Sequence, residues 1–304
     1  MRKPNQAYIV LNAISKPLAK EVPMIKLVLS DIDGTLLPFG TPRVSARTMA
    51  AIEELRDAGI EFGLATGRNI REIRGFFAGE TSAYRTGILA NGMRVRVNGR
   101  DSMYSMLDNI ALQRLTDHLA QVPGVFLCLF EKDDTGTIAP KVVGCTPDEH
   151  QAFEAHVIPL GAELIARVPD RDIASASIGS LAGQAVLDEV KASARELVSC
   201  FDYLQPIENW CDVLPAGMNK GSGVESLARE LDISLDEILF FGDAENDLPI
   251  FGALENTCAM ANATPAAKAA ARWHVGPCEE DGVAAALEEL ARATRENRTP
   301  AFMS

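Results

Sequence analysis

Two aspartates, Asp31 and Asp33, lie two residues apart, directly after a short apolar run and before Gly34. In an extended segment, residues i and i+2 point their side chains the same way, so both carboxylates can act on one substrate. An ionised carboxylate is a competent nucleophile toward phosphorus, and a second carboxyl group can protonate the departing alkoxide and then activate water. The pair therefore indicates phosphoryl transfer, with one carboxylate attacking and the other handling the proton.

Further polar residues follow other apolar runs of the sequence. Thr66 follows residues 61–65, and Asp243 and Asp247 follow residues 238–241. If these runs are parallel strands, their carboxyl ends meet at one edge of a sheet, where ligand sites of open α/β sheets lie. An Asp-Gly-Thr sequence alone is more often an ordinary turn, so the prediction of a single site rests on the convergence of all these residues.

Phosphoryl transfer requires that the negative charge on the phosphoryl oxygens be offset. Because Mg²⁺ prefers oxygen ligands, we predict that Asp31, Asp33 and Asp243 bind it, with Asp247 close by. Lys220 directly precedes a predicted helix, where it can meet the phosphate beside the positive end of the helix dipole. Considered alone, a lysine in this position is more often a solvated surface residue.

These residues need alternating strands and helices to hold them in place, and both ends of the chain show that alternation. The predicted strands are 25–30, 61–65, 238–241, 258–260 and 273–275, and the predicted helices are 45–58, 221–231, 248–251, 265–271 and 282–293. Short apolar strands that alternate with helices are typical of βαβ units. The sequence predicts one α/β domain with a doubly wound, Rossmann-like parallel sheet.

The middle of the chain shows shorter alternating runs. They predict strands at 94–97, 125–130, 138–143, 173–178 and 201–204, with helices near 107–121 and 184–198. Such runs suit a sheet with helices on one face, and we interpret them as an inserted α+β domain that covers the site and selects the substrate. Arg94 and Arg96 alternate along the first of these strands, and we expect them to be solvated edge charges.

At these residues the chain resembles the haloacid dehalogenase superfamily, and in detail its Cof-type branch, subfamily IIB, which carries a C2B cap. The resemblance covers about residues 24–292 and implies a magnesium-dependent phosphoric monoester hydrolase with an α+β cap. The matching motifs are Asp31-Ile32-Asp33-Gly34-Thr35, Thr66 in Ala65-Thr66-Gly67-Arg68, Lys220, and Gly242-Asp243-x-x-Asn246-Asp247. Asn91-Gly92 is a weaker match, because this dipeptide is common in turns.

The resemblance also implies a role for each matching residue. By this likeness Asp31 is the nucleophile and a Mg²⁺ ligand, while Asp33 is the acid/base and binds Mg²⁺ through its backbone carbonyl. Asp243 is the remaining metal ligand. The other residues form a phosphate-binding set, Thr66, Gly67, Lys220 and Asn246, and a supporting set, Thr35 and Asp247.

The domain boundaries follow from the insertion after Thr66 and from the length of the resemblance. We expect an N-terminal extension at 1–23, with Met24 as an alternative translation start. The catalytic core is predicted at 24–92 and 215–292, and the C2B cap at 93–214. Residues 293–304 are expected to form a C-terminal tail.

The expected activity is hydrolysis of a small phosphomonoester, such as a sugar phosphate or a phosphorylated cofactor, through an aspartyl-phosphate. One alternative passes the phosphate to a second hydroxyl, as mutases of the phosphomannomutase type do. A second alternative is a non-enzymatic phospho-acceptor of the receiver type, which Asp33 disfavours, because an acid/base beside the nucleophile hastens loss of the phosphate. The sequence specifies no oligomeric state.

The overall charge restricts the classes of binding partner, and the placement of the cysteines indicates the cellular compartment. The 304-residue chain has a formal net charge of −13, which opposes binding to nucleic acid or to anionic membranes. The expected partner is therefore a small phosphorylated metabolite. Its six cysteines form no CxxC pair, which is typical of free thiols in a reducing compartment and predicts a cytoplasmic location.

Overall fold

The computed structural model describes residues 24–131, 140–156 and 161–304. The expected extension at 1–23 and the first two residues of the predicted strand 138–143 lie outside these ranges. In the described part of the chain, no helix is both long and apolar enough to cross a membrane.

The described strands and helices are as follows, in chain order. The strands are β1 (Leu27–Ser30), β2 (Glu61–Ala65), β3 (Gly87–Leu89), β4 (Arg94–Val97), β5 (Arg100–Tyr104), β6 (Val125–Glu131), β7 (Pro140–Val143), β8 (Glu163–Leu164), β9 (Ile173–Ser180), β10 (Phe201–Ile207), β11 (Trp210–Pro215), β12 (Ile238–Gly242), β13 (Asn256–Met260) and β14 (Trp273–Val275). The helices are α1 (Ala46–Asp57), α2 (Ile70–Phe76), α3 (Asn109–Leu119), α4 (Pro147–His156), α5 (Gln184–Leu197), α6 (Lys220–Leu231), α7 (Leu248–Ala253), α8 (Pro265–Ala270) and α9 (Gly282–Arg295).

Eight strands form the larger sheet, in the order β14-β13-β12-β1-β2-β3-β4-β5. The strands from β14 to β3 run parallel, and β4 and β5 extend the sheet as an antiparallel hairpin. Every residue of the central strand β1 is buried, as expected for a strand in the middle of a parallel sheet. The predicted α/β class with a doubly wound parallel sheet is confirmed.

A second, six-stranded sheet has the order β10-β11-β9-β6-β7-β8. Helices α3 and α5 pack on one face of this sheet and on each other. The unit has apolar clusters separate from that of the larger sheet, one containing Leu127, Ile178 and Val213 and another containing Phe126 and Phe153. This arrangement agrees with an α+β insertion between the two halves of the core.

The prediction for the first strand of the middle region is wrong in two respects. Strand β4 pairs with β3, and Val95 packs in the core of the larger sheet. Arg94 is also buried rather than solvated, because Asp101 on β5 accepts from Nη2 at 2.6 Å and Tyr104 lies under the guanidinium at 5.0 Å. Arg96 bonds the same carboxylate at 3.2 Å.

This hairpin moves the start of the inserted unit. Among the described residues, the second sheet and the fully buried members of its apolar clusters lie between Leu107 and Pro215, except for Met93, and the partly buried Ala90 and Met218 pack against them. We therefore propose that the cap begins after Tyr104 instead of at residue 93.

Candidate active site

Asp31 lies at the carboxyl end of the central strand. Its backbone N–H donates to the carbonyl of Phe241 at 2.9 Å, and the preceding residue, Ser30, lies opposite both Leu64 on β2 and Phe241 on β12. Parallel pairing on both sides thus brings the end of β1 beside the ends of β2 and β12. Thr66 follows β2 directly and Asp243 follows β12 directly, so the predicted polar residues share one sheet edge.

Lys220 reaches this edge from the first residue of α6. The helix begins with a reciprocal cap between Asn219 and Ser222, which fixes the direction of the first turn. The Lys220 side chain is buried, with Nζ 2.9 Å from Asp31 Oδ1 and 2.7 Å from Asp247 Oδ1. Burial disfavours the ammonium, but its attraction to Asp247 and Asp31 outweighs this cost, and the pKa of Lys220 is raised. It is therefore not the solvated lysine that its sequence context alone suggests.

The loop after β12 is organised by hydrogen bonds to carboxylates. Thr35 Oγ1 donates to Asp243 Oδ1 at 2.8 Å. The backbone N–H groups of Asp243 and Ala244 both donate to Asp247 Oδ2, at 2.9 and 3.3 Å, while Lys220 holds the other oxygen of Asp247. Asp247 therefore fixes the loop that presents Asp243.

Three buried carboxylates, those of Asp31, Asp243 and Asp247, have oxygens within 4.8 Å of one another. Burial raises the pKa of Asp31 to about 7, with Lys220 acting in the opposite direction, and burial raises the pKa of Asp243 to about 6. Removing several carboxylates from water is unfavourable unless cations compensate them. A set of hard oxygens with excess negative charge fits a divalent cation such as Mg²⁺.

The Asp33 carboxylate is not a member of this cluster and is paired with Arg68 instead. Arg68 Nε and Nη2 donate to its two oxygens at 2.6 and 2.8 Å. The guanidinium also bonds Glu72 at 2.9 Å and lies over the ring of Phe76 at 4.9 Å. Side-chain metal binding by Asp33 is thus not part of this geometry, and the role of its backbone carbonyl stays a prediction.

Thr66 and Gly67 lie against Asn91, which follows β3. The hydroxyl of Thr66 accepts from the backbone N–H of Arg68 at 3.2 Å, and its carbonyl accepts from the N–H of Asn91 at 3.1 Å. A Cβ on residue 67 would lie 2.9 Å from Asn91 Oδ1. Only glycine lets the Asn91 side chain approach this closely.

A cleft of about 220 Å³ opens between the larger sheet and the inserted unit. Asn246, from the loop that presents Asp243, lines it together with Lys220 and Asn91. From the inserted unit the lining residues include Tyr203, Leu204 and Leu214. The predicted residues Lys220 and Asn246 therefore face a common space that both units enclose.

Sequence reasoning missed two residues of this edge. Asn262 Nδ2 donates to the carbonyl of Gly34 at 2.7 Å, and its Oδ1 accepts from the N–H of Cys278. It thereby ties the turn after the aspartate pair to the far end of the sheet. Arg68 was given no role, although its position directly after Thr66-Gly67 is a usable signal.

Gly34 has a positive φ of 76°, and a Cβ there would lie 2.4 Å from Asp243 Oδ2. The sequence indicates a turn at this glycine, and the close approach of Asp243 is a second reason why residue 34 must be glycine. A side chain at residue 34 would push away one of the clustered carboxylates.

Comparison with known proteins agrees with this geometry. The family profile of haloacid dehalogenase-like hydrolases matches residues 28–287. An HMP-PP phosphatase of Yersinia enterocolitica is 27% identical over 290 residues, covering 92% of this chain and 100% of that protein. An HMP-PP phosphatase of Yersinia pseudotuberculosis is 27% identical over 292 residues, with the same coverage.

Solved structures share the fold at lower identity. A subclass IIB sugar phosphatase of the haloacid dehalogenase superfamily superposes with a TM-score of 0.70 at 20% identity, covering 86% of this chain and 98% of its own. A phosphatase from Bacteroides thetaiotaomicron gives a TM-score of 0.69 at 23% identity, covering 91% and 98%. With the family profile spanning both halves of the core and the insertion between them, the chain belongs to the haloacid dehalogenase-like hydrolases, as its Cof-type motifs indicated.

Proposed function

We propose that this hydrolase is a Mg²⁺-dependent phosphatase that cleaves small phosphomonoesters through an aspartyl-phosphate on Asp31. The observation that carries the proposal is the Asp31 carboxylate at the end of β1. Lys220 holds its Oδ1 at 2.9 Å, and the carboxylates of Asp243 and Asp247 cluster beside it. The ion pair leaves Oδ2 of Asp31 as the attacking atom.

The proposed reaction has two steps. In the first, Asp31 Oδ2 forms a bond to phosphorus while the bond to the leaving oxygen breaks, and Asp33 gives that oxygen a proton. In the second, Asp33 takes a proton from water, whose oxygen attacks phosphorus and frees the Asp31 carboxylate and inorganic phosphate. Lys220 beside the nucleophile stabilises negative charge on the phosphoryl oxygens in both steps.

The residues placed to hold Mg²⁺ are Asp31 and Asp243, with Asp247 beside them and the carbonyl of Asp33 added by the family resemblance. A bound Mg²⁺ would offset the negative charge that this cluster and the phosphoryl group bring together. Thr35 orients Asp243 for this task through its 2.8 Å hydrogen bond. Asp247 holds the loop through its bonds to the backbone.

The substrate proposed is a small phosphorylated metabolite, either a sugar phosphate or a phosphorylated cofactor. Support comes from the names of the relatives, which are HMP-PP phosphatases, and of a structural neighbour, which is a sugar phosphatase. A cleft of about 220 Å³ has room for a small leaving group.

The test is phosphate release from a panel of phosphorylated metabolites with Mg²⁺, with EDTA, and with the variant Asp31→Asn. The exposed residue Asp57 allows a matched control, Asp57→Asn. We expect turnover with Mg²⁺ only, lost in Asp31→Asn and kept in Asp57→Asn. Turnover that survives in Asp31→Asn overturns the nucleophile assignment. A hexose 1-phosphate that is isomerised in the presence of a bisphosphate, with little free phosphate, would identify a phosphomutase instead.

A further inference from the structure

The inserted sheet presents a carboxylate to the edge of the larger sheet that carries Asp31, Thr66 and Asp243, which we call the catalytic edge. Along β11, Cys211 and Val213 point into the inserted unit's own apolar core, so Asp212 between them lies on the opposite face. Its Oδ1 accepts from Ser177 Oγ on the neighbouring strand β9 at 2.8 Å, and its Oδ2 accepts from Asn91 Nδ2 at 3.3 Å. Asp212 thus extends from the cap to the residue that contacts Thr66 and Gly67.

Asn91 is itself unusual among the described residues. Its side chain is buried, with 3% of the residue exposed, and its Oδ1 has no hydrogen-bond partner in the described part of the chain. Its backbone is left-handed, at φ 53°, a conformation that asparagine tolerates better than most residues. A buried acceptor without a donor is costly, and a ligand in the cleft that Asn91 lines can supply the missing donor.

The charge at Asp212 is also incompletely compensated. Its donors, the side chains of Ser177, Trp210 and Asn91, are all neutral. Burial raises the pKa of Asp212 to about 6, with the negative charge of Glu72 acting in the same direction and the hydrogen bonds acting against it. Two acceptor groups, one of them anionic, therefore lie side by side at the boundary between cap and core. Such a pair favours hydrogen-bond donors and repels a second anionic group.

We propose that Asp212 and Asn91 form an acceptor subsite that selects leaving groups carrying hydroxyl or amino donors. The inference rests on the proposed phosphatase function and assigns specificity to two residues that the reaction steps do not use. A site that contains an unsatisfied buried acceptor, here Asn91 Oδ1, rejects analogues that lack the matching donor, because the acceptor then stays unpaired. Leaving groups with carboxylate or phosphate substituents are disfavoured by the charge of Asp212.

The experiment compares kcat/KM of Asp212→Asn and the unchanged protein on three phosphomonoesters. Glucose 6-phosphate offers donors, p-nitrophenyl phosphate offers none, and 3-phosphoglycerate carries an anion. For Asp212→Asn we expect a loss on the order of 10- to 100-fold with glucose 6-phosphate, as for hydrogen bonds to a charged group. We expect no more than about a twofold change with p-nitrophenyl phosphate and a gain with 3-phosphoglycerate.

Two further variants complete the design. Ser177→Ala keeps the Asp212 charge but removes one of its donors, so we expect a smaller loss with glucose 6-phosphate and no gain with 3-phosphoglycerate. Asp172→Asn makes the same chemical change at an exposed position just before β9 and should alter nothing. Equal losses on all three substrates, or none, would overturn the subsite while leaving the phosphatase proposal standing. Failure of the unchanged protein to hydrolyse any of the three, p-nitrophenyl phosphate included, would overturn both.

Discussion

The carboxylates at the catalytic edge of the larger sheet have different partners from the carboxylate on the face of the inserted sheet that carries Asp212. At the catalytic edge, Asp31 lies 2.9 Å from the ammonium of Lys220, and Asp33 lies in a two-point ion pair with Arg68. On the inserted face, the donors to Asp212 are the neutral side chains of Ser177, Trp210 and Asn91. Charged partners hold a carboxylate in a fixed geometry through strong, directional hydrogen bonds, whereas neutral partners leave its charge available to a ligand. The difference separates a region suited to chemistry from one suited to recognition.

The strongest test of the catalytic region is Asp31→Asn. The amide cannot form the acyl phosphate, so we expect phosphatase activity to fall by at least about 10³-fold. Steady-state phosphate release measures the loss, and quenching with acid and probing for protein-bound phosphate tests the intermediate directly. Loss of turnover with unchanged protein-bound phosphate would place the nucleophile elsewhere.

Lys220→Met tests whether the catalytic region depends on its cation for stability. It leaves the buried carboxylates of Asp31 and Asp247 without their shared partner, and we expect the free energy of unfolding to fall by about 3–5 kcal/mol. Urea unfolding measures it. The surface pair of Lys26 with Glu237, at 2.7 Å, gives the control Lys26→Met, expected to cost at most about 1 kcal/mol.

The double variant Lys220→Met with Asp247→Asn sharpens that test. Removing the second carboxylate relieves part of the repulsion, so part of the stability should return. If Lys220→Met and Lys26→Met lower the free energy of unfolding by the same amount, the contrast between the buried and the exposed ion pair is wrong.

Arg68→Lys tests the two-point ion pair with Asp33. A lysine cannot donate to both carboxylate oxygens in this geometry, so the acid/base loses its orientation. We expect kcat to fall about tenfold with alkyl phosphates, whose leaving oxygen needs a proton, and much less with p-nitrophenyl phosphate, whose leaving group does not. The exposed Arg43 provides the control Arg43→Lys. An equal loss on both substrates would mean that Arg68 acts on binding or folding instead of on Asp33.

Asp212→Asn is expected to change the free energy of unfolding least. Unlike Lys220→Met, it should raise that free energy. Because burial raises the pKa of Asp212 from 3.8 to about 6, the folded protein binds a proton there more tightly than the unfolded chain does. Its ionisation therefore lowers stability as pH rises through this interval. The variant should be more stable than the unchanged protein at pH 8, and the gain should shrink toward pH 4.

Thermal or urea unfolding at the two pH values measures this gain, with Asp172→Asn as the control. A variant that is less stable at pH 8 would show that the hydrogen bonds of Asp212 to Ser177 and Asn91 outweigh the cost of burying its charge. Asp212 would then be a structural residue of the cap.

The sequence predicted the parts of the molecule that depend on local pattern. The core was predicted from the apolar run of β1 and from the helical periodicity of α1, α6 and α9. The polar residues around Asp31 were predicted from their positions at the ends of strands. Membership of a strand in a sheet is a different matter, because it depends on pairing between distant segments. Strand β4 was therefore assigned to the wrong sheet, and Arg94 to solvent.

Contacts between residues far apart in sequence could not be predicted from local sequence either. Arg68 and Asp33 are 35 residues apart, and Asn91 and Asp212 are 121 apart. Each of these residues has an ordinary local explanation, as a helix-start arginine, a turn asparagine or a strand aspartate. Only the packing of the two sheets against one edge reveals their shared surroundings.

The separate apolar cores of the two units have an evolutionary consequence. Ile178 and Val213 pack inside the inserted unit, whereas Leu29 and Phe240 pack inside the larger sheet. Because substitutions at distant, non-contacting sites have nearly additive effects on stability, changes in the apolar core of the inserted unit leave the core around Asp31 intact. If the proposed function is correct, mutation of the insertion can therefore change the substrate while the site around Asp31 is inherited unaltered.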